Sequence, residues 1–260
     1  MLVDRLRGET PVLTAELRPP RAELDATEGM DAWIDTYHAI RRLSRQQVPA
    51  FLTDSAVGTQ EENNLRHLIA NLGRDLPRDM VVPFLTSKHS LDFCVSYATQ
   101  ASQHGFSSLV VLGGDKTVGR PRCVEHAWDL RYEIRKHEPE LILGGWANPH
   151  AAVAQQVDFL RDERFCAEFY LTQVVSHLNL DPVKRFLEEI ARRPASIPGM
   201  FCVFYYRSAS PKTLQILSTF MPVPIQGLIA EFATGASAVD VCAQTIRALR
   251  AEGVRHVCIC

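Results

Sequence analysis

Glu16 stands between Ala15 and Leu17 in a short apolar run, just ahead of Arg18-Pro19-Pro20-Arg21. An apolar setting disfavours the charged form of a carboxyl group and raises its pKa, which suits a general acid. Read without chemistry, the same residue is an interior carboxylate paired with an arginine. Asp115 follows Gly113 and Gly114 after the run Ser108-Leu-Val-Val-Leu112. The glycines let a ligand approach the backbone closely, and the aspartate would set an anion beside it. A turn or helix-cap aspartate is the alternative. Gln173 ends Phe169-Tyr-Leu-Thr172 with an amide suited to reading the edge of a heterocycle, or else with a solvated strand end. Thr53-Asp54-Ser55, Thr86, Trp146, Asn148, His150 and Tyr205-Tyr206-Arg207 close or follow other apolar runs. Trp146 is a ring platform or plain core. His150 is a site residue or simply a first-turn residue after Pro149. Tyr205 and Tyr206 alternate along a strand, so at most one faces a ligand.

The elements that must position these residues alternate along the whole chain. Strands are expected at 14–17, 51–55, 81–86, 108–112, 141–146, 169–173, 199–204 and 254–260. Helical apolar spacing falls between them, at 31–43, 61–72, 91–104, 124–136 and 150–164, and after 181, 210 and 237. Ser90 is an expected N-cap, and Asp181-Pro182 and Ser210-Pro211 read as cap-plus-proline helix starts. Eight strands and their helices in about 250 residues match a (β/α)8 TIM barrel of the α/β class. The rival is an open doubly wound sheet. The barrel is preferred because the last strand can close against the first. No Pro/Gly/Ser-rich linker breaks the chain, so residues 1–260 are expected to form one domain. The final strand stops at Cys260, where such a barrel ordinarily goes on to a terminal helix, so either the chain is cut there or closure is minimal.

Composition narrows the function. Of 260 residues, 46% are hydrophobic and 22% charged, with a formal net charge of −2, which excludes disordered and low-complexity classes. No basic run points to nucleic acid, and no apolar run reaches the length of a membrane span. The N-terminal seven residues mix charges and lack the apolar core of a secretion signal. Seven scattered cysteines read as reduced thiols of a cytoplasmic protein. Cys258-x-Cys260 is not a trusted zinc spacing and reads as buried small hydrophobes on the terminal strand, so no metal is expected. No G-x-G-x-x-G, H-E-x-x-H or G-x-S-x-G pattern occurs, which argues against metal and serine hydrolysis.

The segments Ala15-Glu-Leu-Arg-Pro-Pro-Arg21, Pro83-Phe-Leu-Thr86, Val111-Leu-Gly-Gly-Asp115, Leu171-Thr-Gln173, Ile197-Pro-Gly199 and Glu252-Gly-Val-Arg-His256, in this order, resemble the methylenetetrahydrofolate reductase family. The resemblance covers nearly the whole chain. It implies a TIM-barrel oxidoreductase that reduces 5,10-methylenetetrahydrofolate to 5-methyltetrahydrofolate with NADH or NADPH. By that resemblance Glu16 is the general acid that helps open the methylene bridge, and Asp115 stabilises the cationic intermediate. Gln173 and Tyr206, with Asp115, contact folate. Thr53, Asp54, Gly114, Asp115, Trp146, His150 and Arg161 are assigned to the cofactor, FAD. Phe84 replaces the family's histidine, Gly113 its arginine, and Asp162 one of its lysines. The folate-handling acids are therefore kept better than the flavin-handling charges, which leaves two routes open: reduction through FAD, or direct hydride transfer from NAD(P)H. The alternative is a redox-inactive folate-binding, one-carbon protein acting with a methyltransferase or a partner subunit. A homo-oligomer is also compatible, as is a barrel of unrelated chemistry.

Overall fold

The computed structural model describes residues 1–20, 23–54, 64–73 and 76–260, with Asn64 described by its backbone alone. Arg21, Ser55 and the expected helix start at Glu61 lie outside the described residues. The elements in chain order are α1 (Leu2–Arg7), β1 (Leu13–Leu17), α2 (Ala26–Arg45), β2 (Ala50–Leu52), α3 (Asn64–Asn71), β3 (Val81–Thr86), α4 (Leu91–Gln103), β4 (Ser108–Leu112) and α5 (Ala127–His137). They continue as β5 (Ile142–Ala147), α6 (Val153–Arg161), β6 (Phe169–Thr172), α7 (Asp181–Arg192), β7 (Gly199–Val203), α8 (Pro211–Leu217), α9 (Ile225–Ala233), α10 (Ala238–Ala251) and β8 (Val257–Ile259). The strands form a closed barrel in the order β1 to β8. The parallel register is direct: Glu16 pairs with Phe51, Phe84 with Val110 and Cys202 with Cys258. Among the described residues no helix is long and apolar enough to cross a membrane.

Contacts divide the chain into two compact units. The first holds Met1–Glu9, Thr14–Gly145 and Glu163–Phe169; the second holds Thr10–Leu13, Trp146–Asp162 and Tyr170–Cys260. In the first unit alternate strand residues take opposite roles, as the two-residue period requires. Leu52, Val81, Leu85, Leu109 and Val111 face the helices, where Trp33, Ile40, Leu68, Ala98, Leu130 and Ile134 cover them. Phe51, Phe84 and Phe169 face the other way and meet inside, with ring centroids 5.9 Å and 6.5 Å from Phe51. Helix α1, unforeseen in the sequence reading, buries Leu2, Val3 and Leu6, and its Arg5 donates to the Gln47 carbonyl ahead of β2. In the second unit Phe186 of α7 packs edge-on against Tyr170 of β6 and Phe201 of β7.

Several boundaries move for identifiable reasons. Asp25 accepts the Thr27 and Glu28 N–H groups, so α2 begins at Ala26 instead of Asp31. Helix α7 takes its first bond from Lys184 N–H to the Leu180 carbonyl. The cap is therefore Leu180, and Asp181 is already helical instead of capping. Strand β2 ends at Leu52, and Asp54, two residues on, turns its carboxylate onto Thr86. Ser90 and Ser237 cap α4 and α10, Ser90 as expected.

Candidate functional site

In the first unit, β1 decides where Glu16 points. Leu17 packs on the helix-side core, so Glu16, one residue before it, faces the barrel interior together with its register partner Phe51. It lies half-buried, one residue from the C-terminal end of its strand. In parallel (β/α)8 barrels that end carries the chemistry. Thr53 follows β2 and is tied back to β1, its N–H donating to the Leu17 carbonyl at 3.1 Å.

Asp54 is the centre of a second arrangement. Its side chain is only 8% exposed. It accepts the Thr86 N–H at 2.7 Å, the Thr86 hydroxyl at 2.9 Å and the His89 Nε2 at 2.9 Å. Since a carboxylate accepts only, His89 carries its proton on Nε2. The sequence reading named Asp54 but passed over His89, which follows an all-buried strand in the polar run Ser87-Lys88-His89. That run was the available signal.

Asp115 is held by its own loop. Its Oδ1 accepts the Thr117 N–H at 2.7 Å, the Val118 N–H at 2.9 Å and the Thr117 hydroxyl at 3.0 Å. These bonds, backbone first, with the Lys88 charge added, hold its carboxyl below the usual carboxylate range, so it is ionised at neutral pH. Asp115 is therefore a turn aspartate by its Oδ1 bonds, and those bonds hold it as an anion. The loop itself is pinned by a buried lysine. Lys88 is 3% exposed and donates to the carbonyls of Val118 (2.8 Å) and Arg120 (2.6 Å). Ser87 adds a bond from its hydroxyl to the Gly113 carbonyl.

Gly113 is a close-approach position. A Cβ there would lie 2.7 Å from the guanidinium carbon of Arg122, whose Nη2 donates to the Gly114 carbonyl. Gly114 adopts φ +71°, which favours glycine. The resemblance expects an arginine at 113. Here a guanidinium fills the space where that side chain would start, but it comes from residue 122. Burial lowers the Arg122 pKa, and the charge of Asp115 opposes that shift.

The second unit holds the remaining expected residues. Trp146 is half-buried in β5. The His150 Nε2 donates to the Val174 carbonyl at 2.9 Å, and the His150 N–H donates to the Asn148 side chain at 3.0 Å. Gln173 folds its Oε1 onto the Val174 N–H at 2.9 Å, which leaves its amide NH2 as the group to present. The Tyr206 ring is 6% exposed and packs with Leu214, Leu228 and Val241, 4.9 Å from the Phe204 ring. Burial pushes its pKa up to about 12. Tyr205, the exposed member of the pair, donates its N–H to the Cys260 carbonyl. Arg161 lies exposed in the last turn of α6. That end of the helix is marked by the Asp158–Arg193 ion pair, in which Arg193 caps the C-terminus of α7. The sequence reading also missed His177. Thr245 gives its hydroxyl hydrogen to the Val241 carbonyl, so Nδ1 of His177 donates to Thr245 (2.7 Å), while Nε2 meets Glu231 (2.6 Å). The loop after β6 is thereby fastened to α9 and α10.

No protein-family model matches the chain, and no curated protein sequence does. The fold is shared with solved structures. An uncharacterized protein from Clostridium thermocellum that binds two copies of 5-methyl-5,6,7,8-tetrahydrofolic acid is similar over 100% of this chain and 91% of its own. The identity is 17% and the TM-score 0.69. A 2,3-dimethylmalate lyase of the PEP mutase/isocitrate lyase superfamily is similar over 99% of this chain and 77% of its own, at 10% identity and TM-score 0.53. At such identities the likeness establishes the class, a (β/α)8 barrel, and function must be argued from the site.

Proposed function

We propose that this chain binds a reduced folate at the C-terminal ends of its strands and reduces its 5,10-methylene bridge with NAD(P)H, in the manner of methylenetetrahydrofolate reductases. The observation that carries the reading is the pair of carboxyl groups in unlike settings on the first unit. Glu16 is half-buried and faces the interior, whereas Asp115 is held ionised by N–H donors. The likeness to a barrel that binds 5-methyltetrahydrofolate supports the ligand class.

In the role the resemblance gives it, Glu16 is the general acid and gives its proton to a bridge nitrogen of methylenetetrahydrofolate. The carbon–nitrogen bond breaks and leaves an iminium cation. The Asp115 anion stabilises that cation, and hydride from the nicotinamide adds to the methylene carbon, giving 5-methyltetrahydrofolate and NAD(P)+.

The hydride is routed directly from the nicotinamide because the groups assigned to FAD are poorly placed for its diphosphate. The Asp54 side chain is committed to Thr86 and His89, and the His150 Nε2 is committed to Val174. Arg161, the cation of that set, sits at the far end of α6 from β5. Neither Thr53 nor Gly114 supplies a compensating charge.

The test is anaerobic NAD(P)H oxidation dependent on methylenetetrahydrofolate, with and without added FAD. Turnover indifferent to FAD in protein without flavin absorbance is the expected result. Turnover only with FAD restores the flavin route. No turnover, with 5-methyltetrahydrofolate still bound in calorimetry, moves the chain to the redox-inactive folate binder, and no folate binding at all overturns the reading.

A further inference from the structure

The thiols of Cys202, Cys258 and Cys260 converge. Their three sulfur atoms all lie within 4.8 Å of one another. The convergence is built by the strands. Phe201 packs against Phe186 of α7, so Cys202, the next residue, faces away from the helices. Cys258 is its direct partner across the parallel ladder and shares that face. Cys260, two residues on, falls on the same face at the end of β8. Cys202 and Cys258 are 1% and 0% exposed, and Cys260 is half-buried. None of the three is in a disulfide.

A single buried cysteine is ordinary core. Three sulfurs on one face of two paired strands make a donor set. Tetrahedral zinc with Zn–S bonds of about 2.3 Å spaces its sulfurs about 3.8 Å apart, so these need close by no more than about 1 Å, within reach of side-chain rotation. All-sulfur donors select zinc or another thiophilic ion over magnesium or calcium. We infer that Cys202, Cys258 and Cys260 form a three-thiolate zinc site whose fourth position takes an exchangeable ligand, a water or an incoming thiol. Three protein ligands and an open position are the pattern of a working zinc site, not a closed structural one. A thiol coordinates zinc as the thiolate, so binding of the ion displaces protons. Each thiol that coordinates releases one proton to solvent, and a thiol entering the fourth position releases its own.

This site rests on these three residues and not on the folate reading, and its test needs no folate. Reduced, metal-free protein is titrated with cobalt(II) and then zinc(II). The expected result is one cobalt per chain with thiolate-to-cobalt charge-transfer and tetrahedral d–d bands, displaced by zinc. Calorimetry in buffers of different ionisation enthalpy should show proton release with zinc binding. C202S, C258S and C260S should each weaken binding by about 100-fold or more, past the range of an outer-shell change, while C123S and C242S leave it unchanged. Should C202S or C258S fail to fold, C260S, at the half-buried strand end, decides with its fold checked by circular dichroism. Absence of the charge-transfer band in reduced protein, or its survival in C260S, overturns the site. A Cys202–Cys258 disulfide with no metal uptake after reduction overturns it in favour of a redox pair.

Discussion

The strand ends of β1 to β4 and those of β6 to β8 use their polar residues in opposite ways. In the first unit, buried polar side chains hold loops and neighbouring polar groups. Lys88 and Ser87 spend their bonds on the backbone of the loop around Asp115, and Asp54 collects Thr86 and His89. In the second unit the expected residues are largely consumed by local structure. Gln173 and His150 both bond at Val174, and Tyr206 is core. The thiols of Cys202, Cys258 and Cys260 lie in this unit. A strand-end residue is therefore a candidate only until its hydrogen bonds are traced, because buried polar groups must be paired and the pairing decides what they present.

This contrast is open to direct attack. The largest effect is expected for E16Q, which keeps the shape but removes the proton: turnover should fall by about 100-fold to 10,000-fold. The folate Kd, measured by calorimetry, should stay within a few-fold. An unchanged turnover would leave Glu16 an interior carboxylate and no more. D115N retains an acceptor for Thr117 and Val118 but loses the charge. Its kcat should drop by about 100-fold with stability nearly unchanged, as an electrostatic role requires; a mere turn residue would leave kcat intact.

K88M tests how the first region is held. Removing the ammonium strands two carbonyls and should cost about 1.5–3 kcal/mol in denaturant unfolding. Cleavage by proteases within 115–122 should also rise. The smallest effect is expected in the second region. Y206F should bind folate as the parent does. It should abolish a late phenolate step in an alkaline spectroscopic titration, since Tyr206 ionises near 12 in the fold. The sign is fixed by linkage. Between about pH 10, where an unfolded tyrosine ionises, and about 12, the folded state holds a proton that the unfolded state has lost. The contribution of Tyr206 to stability is thus complete below pH 10 and is lost through that window, and Y206F should lose less stability across it.

Much of the fold was legible along the chain. Strands such as Val81–Thr86, buried at every position, read as continuous apolar runs because a parallel barrel strand is covered on both faces. Cap residues such as Ser90 marked helix starts, since an unpaired N–H at a helix end needs an acceptor. At Asp25 a cap hydrogen bond set the helix start ahead of the apolar spacing, and at Leu180 the first helical bond fell one residue before the Asp181-Pro182 signal. Helix α1 was missed because six residues carry too little periodicity to register.

The residue types at the strand ends, Glu16, Asp115 and Gln173, were likewise available from sequence, because their position follows from strand period and order. Their partners were not. His89 meets Asp54 across 35 positions, Lys88 reaches Val118 across 30, and the guanidinium expected at 113 arrives from Arg122. Cys202 joins Cys258 and Cys260 only through the pairing of β7 with β8. Sequence determined which groups stand at the ends of which strands, since that is set by local periodicity. Only the tertiary structure decided which of them are bound to one another, because those bonds close between segments that no local pattern links.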